Sequence, residues 1–188
     1  MKPWIIGVVF ALLTASFSAQ AAEYTVDSKH SRITFSGEHA ENPFKGEFKV
    51  WHATILFDAT HLESSALDVS IDTGSAEIGN RMYDETLPTK DWFYSERYPH
   101  AHFKSTSITR AQDGSYVANG ELTIRNITKP ITLPFTLEPK NAESNEVHAK
   151  AALKIDRLDF AIGKESDEKA EWVSRDIGVQ LYIVALKK

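Results

Sequence analysis

The sequence predicts an all-β fold of about eight one-sided antiparallel strands. They are closed as an up-and-down barrel or stacked as a sandwich, with one or two short helices in an insertion. Three observations predict it. Apolar and polar residues alternate with period two in segment after segment. The links between segments are short and rich in turn residues, which makes neighbours antiparallel. One stretch, Gly79 to Pro99, breaks the rhythm.

Taken in order, Ile33, Phe35 and Gly37 share one face, followed by Phe44, Gly46, Phe48 and Val50 against Lys45, Glu47 and Lys49. Ala53, Ile55 and Phe57 come next, then Leu67, Val69 and Ile71 against Asp68, Ser70 and Asp72. After the interruption come Ala101-x-Phe103-x-Ser105 and Ala118-x-Gly120-x-Leu122-x-Ile124. Ile131 to Leu137, Val147 to Ile155 and Ile177 to Ile183 complete the set. Asp113-Gly114 predicts a tight hairpin. Asn126 and Pro130 bracket a turn between strands ending at Arg125 and opening at Ile131, and Pro139 to Asn145 is a polar connection. In the arrhythmic stretch, Asp91 is placed to cap a second short helix. Gly163 to Glu171, rich in charge, reads as a solvated loop.

Composition narrows the function. With 188 residues, 42% of them apolar, the chain can bury one sizeable core, and its charge of −5 argues against nucleic-acid binding. Met1-Lys2, the apolar run Trp4 to Phe17 and Ala19-Gln20-Ala21 predict a secretory signal peptide over residues 1–21, cleaved after Ala21. One domain then occupies residues 22–188, and the expected location is the periplasm. The chain has no cysteine, so no lipidated cysteine anchors it and no disulfide braces it.

The buried face carries small residues where a solid core would want large ones: Gly37, Gly46, Ala53, Ala118, Gly120, Ala149 and Ala151. An eight-stranded barrel is wide enough either to pack solid or to hold one slim ligand. The small residues read as large–small interdigitation or as room for a chain-like guest. The insertion, with Met82, Leu87, Trp92 and Phe93, is apolar enough for a lid.

Catalytic and metal signals are weak. No G-x-S-x-G elbow, H-E-x-x-H or phosphate-cradling glycine loop is present. His100 and His102 share an outward face and lack a third ligand at zinc spacing. Asp27, Asp58, Asp156 and Asp159 fall near strand ends, where aspartate serves turns. His39, in phase with Phe35, is placed either to cap the lumen or to serve as a hydrogen-bonded structural histidine.

Asp27-x-x-His30-Ser31, Ile33-x-Phe35, His39 and Gly46-x-Phe48 resemble the opening of the YceI-like family of polyisoprenoid-binding periplasmic proteins. Asp91-x-Phe93, Tyr98-Pro99 and Phe103-x-Ser105 resemble its middle. Gly120-Glu121-Leu122-Thr123-Ile124, Ile127-Thr128-Lys129-Pro130-Ile131-Thr132-Leu133 and Arg157-x-Asp159-Phe160-x-Ile162-Gly163 resemble its later segments. The Arg81–Leu87 region follows the family pattern only loosely, and the Lys164–Glu171 loop is unusually charged. The resemblance implies a lipocalin-like eight-stranded antiparallel β-barrel whose tunnel holds a long-chain isoprenoid, quinone-like lipid or fatty amphiphile. It also suggests a cytochrome b561-type membrane partner; with the weak motif signals, the expectation is no enzyme activity, no metal and no cofactor beyond that lipid. A homodimer through the outer wall is compatible with such a barrel. The expected ligand-binding residues are Phe35, His39, Phe48, Ile55, Phe57, Val69, Trp92, Phe93, Phe103, Leu122, Ile124, Leu133 and Phe135. The rival expectations are a structural or stress-response module with a filled core, and an enzyme using His30 or His39 as base.

Overall fold

A computed structural model describes residues 21–141 and 144–188, so the expected signal peptide lies almost wholly outside the described residues. Eleven strands form one antiparallel sheet that closes on itself. They are β1 (Ala22–Val26), β2 (Arg32–His39), β3 (Asn42–Phe48), β4 (Trp51–Phe57), β5 (Ala66–Asp72) and β6 (Ala76–Glu77), followed by β7 (His100–Arg110), β8 (Tyr116–Ile124), β9 (Ile127–Pro139), β10 (Glu146–Asp156) and β11 (Asp176–Lys187). Six of them join end to end into three bent staves, because β1 and β2 pair successive stretches of β11, β3 pairs β2 where β4 pairs β1, and β6 continues β5 along β3. The result is a closed eight-stave antiparallel barrel. The β1–β11 ladder, Tyr24 to Val26 against Lys187 to Ala185, decides for the barrel over the sandwich.

The bends have identifiable causes. At the first, Asp27 Oδ1 accepts the Lys29 N–H at 3.0 Å and Oδ2 meets His30 Nδ1 at 2.7 Å. Buried Ser31 then takes the place of a ladder partner, accepting the Val184 N–H at 2.8 Å. At the second, the Asp72 N–H donates to the Val50 carbonyl and the Lys49 N–H to that of Ser75. The strand breaks there, so Val50 does not continue the buried face as its phase predicts and is 48% exposed.

Other local expectations need correction. The β8–β9 turn is tighter than expected: Arg125 and Asn126, with φ of 51° and 63°, make a two-residue turn of the type that matches strand twist, and Pro130 lies inside β9. The Asp113-Gly114 hairpin is looser, spanning residues 111–115. The insertion holds one short α-helix, α1 (Arg81–Thr86), capped by Asn80 accepting the Met82 N–H. No second helix begins at Asp91. The strand Ala22–Val26 was not expected at all.

Both long connections, residues 78–99 and 157–175, leave the same end of the barrel and meet over it. The opposite end is packed with rings. Phe57 meets Tyr116 edge-on at 5.0 Å, and Tyr116 stacks on Phe135 at 5.4 Å.

Candidate functional site

The barrel interior holds a cavity of about 510 Å³, within the size range of ligand sites. All thirteen expected residues line it, contributed by β2, β3, β4, β5, β7, β8, β9 and the insertion. Phe35, Phe48, Phe57, Phe93, Phe103, Ile124, Leu133 and Phe135 are buried; His39, Ile55, Val69, Trp92 and Leu122 are half-buried.

The small residues divide between the two readings given for them. Ala53, Ala149 and Ala151 line the cavity and leave it room. Gly46 and Gly120 do not. The Phe35 ring lies directly over Gly46, and the Phe103 ring and the Lys104 carbonyl crowd Gly120, so a Cβ at either would collide. There the chain's own aromatics fill the space. Ala118, fully buried, belongs to the ring cluster at the far end.

The open end has a rim of mixed character. His39 at the end of β2 faces Tyr83 on α1, with Nδ1 and the hydroxyl 3.3 Å apart. Thr86 and Ser166 add hydroxyls, and Met82 and Trp172, each 63% exposed, stand as apolar lips. Trp172 and Tyr83 carried no signal in the strand pattern, because both sit in connections. At the far end the polar group lining the cavity is Tyr24, whose hydroxyl burial and Asp58 hold above its ordinary pKa.

A polar clasp joins the two connections beside this rim. Asp91 caps, as its residue type suggests, but it caps the other connection. Its carboxylate accepts the Glu165 N–H at 2.7 Å, the Ser166 N–H at 3.0 Å and the Ser166 hydroxyl at 2.5 Å. Burial works to raise the Asp91 carboxyl, but these bonds outweigh it and hold it below the usual carboxylate range. Arg125, in the left-handed conformation of its turn, donates to the carbonyls of Lys90, Asp91 and Ala161. The 163–171 segment is no merely solvated loop: Asp167 is buried and meets Arg157, 1% exposed, at 2.6 Å. Arg157 also donates to the carbonyls of Ile162 and Val173. Burial pulls the Arg157 pKa down, with Asp167 opposing it. Burial likewise works to raise Asp167, yet the N–H groups of Val173, Trp172 and Glu171, together with Arg157, leave it lowered.

The remaining polar candidates lie away from the cavity lining. His30 is paired with Asp27 and exposed, away from the cavity lining. Asp58 accepts the Thr60 hydroxyl and N–H, bonds that hold its pKa at about 2. Asp156 caps the turn at residues 157–160. His100 and His102 face outward, and no cluster of three metal-ligating side chains occurs among the described residues. Tyr98-Pro99 anchors the insertion, since buried Thr73 donates to both their carbonyls.

Comparisons with known proteins agree with this architecture. A YceI-like domain model matches residues 24–185. The Escherichia coli protein YceI is 29% identical over 189 residues, 96% of this chain and 97% of that one. A UPF0312 protein of Vibrio parahaemolyticus is 33% identical over 137 residues, 71% and 72% of the respective chains. Among solved structures, Burkholderia cenocepacia BcnA superposes with a TM-score of 0.80 at 26% identity, covering 85% of this chain and 99% of that one. A polyisoprenoid binding domain from Saccharophagus degradans shares the fold, with a TM-score of 0.67 at 14% identity over 90% of this chain and all of that one.

Proposed function

We propose, since the chain belongs to the YceI-like family, that it is a periplasmic carrier holding one long-chain isoprenoid or similar amphiphile non-covalently in its barrel. The single observation that carries this reading is the interior cavity, about 510 Å³ walled by apolar side chains from the staves and edged with hydroxyls and an imidazole at one end. The polyisoprenoid binding domain of Saccharophagus degradans, which shares the fold, supports the ligand class, and the leader-like run Trp4 to Phe17 supports export.

The chemistry of the lining orients the guest. A dozen buried methylenes supply roughly 10 kcal/mol of gross driving force, at about 0.8 kcal/mol each, to set against an association cost of about 4–15 kcal/mol. The tail therefore belongs along Phe35, Phe103 and Leu133, and the head at His39, Tyr83, Thr86 and Ser166. That head is neutral. The one cation among the described lining residues, Arg157, is already matched by Asp167 at 2.6 Å, so a phosphate or carboxylate there would be desolvated without a counter-ion. A quinone, alcohol or amide needs only the hydrogen bonds that the rim offers.

The test is a titration with geranylgeraniol and with geranylgeranyl phosphate, which share a tail and differ in the head. The alcohol should bind one to one and more tightly than the phosphate. Ala53→Phe or Ala151→Phe, which put a ring into the open part of the cavity, should weaken it by about tenfold or more while the barrel stays folded. No binding of either compound by the wild-type protein would remove the carrier reading. Tighter binding of the phosphate would overturn the neutral head.

A further inference from the structure

The Thr128-Lys129-Pro130 run and Pro134 take no part in the rim or the clasp, yet they sit where the barrel wall changes. Strand β10 pairs with β11 along its whole length, from Glu146 to Asp156. With β9 it pairs only from Val147 to Ala151, against Pro139 to Phe135, and the ladder then stops.

The prolines explain the stop. The β8–β9 turn has two residues, so its closing pair, Ile124 with Ile127, exchanges hydrogen bonds. Counting along β9, Thr128, Pro130, Thr132 and Pro134 then direct their backbone polar groups away from β8, toward β10. Two of these four positions have no N–H to give, and proline is tolerated in a strand only on such an unpaired edge. The wall is therefore unzipped beside the mouth, between Ile127–Pro134 and Ala152–Asp156. Ile131, Leu133, Leu153 and Ile155 line the cavity immediately behind the gap. Across its outer end lies the exposed ion pair of Lys129 with Asp159, at 3.5 Å.

We infer that this gap is a lateral portal, through which the lipid chain slides into the barrel side-on. The inference rests on the carrier reading. Entry end-on at the rim has to pass His39, Tyr83, Met82 and Trp172, between connections that the Asp91, Arg125 and Arg157–Asp167 bonds hold in place. Entry through the gap breaks no ladder bond and disturbs one solvent-screened ion pair. A long chain also need not be threaded end-on past Met82 and Trp172.

Because the chain has no cysteine, Thr132→Cys with Lys154→Cys gives a single disulfide across the gap. Ala152→Cys with Gln180→Cys gives a control staple across the paired β10–β11 ladder. The probe is geranylgeraniol delivered from phosphatidylglycerol vesicles. Its arrival is followed by tryptophan emission, since Trp51 and Trp92 line the cavity. The oxidised gap staple should slow uptake and release together, by about tenfold or more, with affinity little changed. Reduction should restore both rates, and the control staple should alter neither. A second variant, Pro130→Val with Pro134→Val, restores the missing donors. Slow hydrogen exchange at the Lys154 amide reports a closed ladder, and uptake should slow in step. Uptake at the wild-type rate with the gap stapled, or with the ladder shown closed, would overturn the portal. Wild-type protein that takes up no alcohol would fail the carrier reading instead.

Discussion

The two ends of the barrel are closed by different physics. The far end is packed by rings: Phe57, Tyr116 and Phe135 meet at 5.0 to 6.2 Å, each contact adding about 0.5–1.5 kcal/mol beyond the burial of its area. The mouth end is held by directional bonds to charged groups, centred on Asp91, Arg125 and the Arg157–Asp167 pair. Apolar packing tolerates small shifts and excludes water without requiring any one geometry. The buried Arg157–Asp167 pair is all or nothing, because removing one member strands the other. On the carrier proposal, one end stays packed and the other is fixed in shape around a guest, and the barrel divides those tasks.

The largest predicted effects come from breaking each end at its centre. Arg157→Met should cost about 3–5 kcal/mol, because it leaves the Asp167 carboxylate buried without its partner. Phe57→Ala should cost a comparable 3–5 kcal/mol through cavity formation. Urea unfolding measures both, and the comparison is sharpened by rescue. Pairing Arg157→Met with Asp167→Leu should recover much of the loss, since an apolar pair can replace a buried ionic one. No second substitution at a polar site should rescue Phe57→Ala. If the double variant at the mouth is no more stable than Arg157→Met alone, electrostatic stranding is not the cause.

Acid should separate the two ends more gently. Asp91 and Asp167 both have lowered pKa values in the folded protein. Their stabilisation is therefore complete above the ordinary carboxylate value of about 3.9, and is lost as pH falls through the depressed folded values. Hydrogen exchange measured downward from pH 5 should show protection lost first at Glu165, Ser166 and Val173. Amides of β8 and β9 around Tyr116 and Phe135 should hold longer, since their protection rests on ladder pairing and ring packing rather than on bonds to a carboxylate. Simultaneous loss at both ends would erase the distinction.

Much of this was legible in the sequence, and the exceptions have two causes. Alternation reports which face a residue occupies, so Phe35, Phe103 and Leu133 read as buried and are buried, while the short antiparallel links allow either a barrel or a sandwich until the β1–β11 ladder closes the sheet. It does not report whether the space opposite is filled. Gly46 and Gly120 read either as vacancies or as partners for large rings, and the rings of Phe35 and Phe103 cover them. Val50 kept the right phase but fell on a bend that only the pairing of three staves reveals. The clasp was hidden for another reason. Asp91 and Glu165 lie 74 residues apart, and no local pattern encodes a bond at that range. Nor does composition show that one acid of a charged loop, Asp167, turns inward to meet an arginine. Tyr83 follows the same rule, since its partner His39 stands 44 residues away on another stave.

The central claim is that the barrel's space is kept for a guest, and native mass spectrometry of the purified protein tests it most directly. A single adduct with the mass of a long, neutral-headed lipid is expected. Organic extraction should remove it, geranylgeraniol should replace it, and Ala53→Phe should lack it. Wild-type protein at its bare polypeptide mass, before and after incubation with that alcohol, would contradict the account.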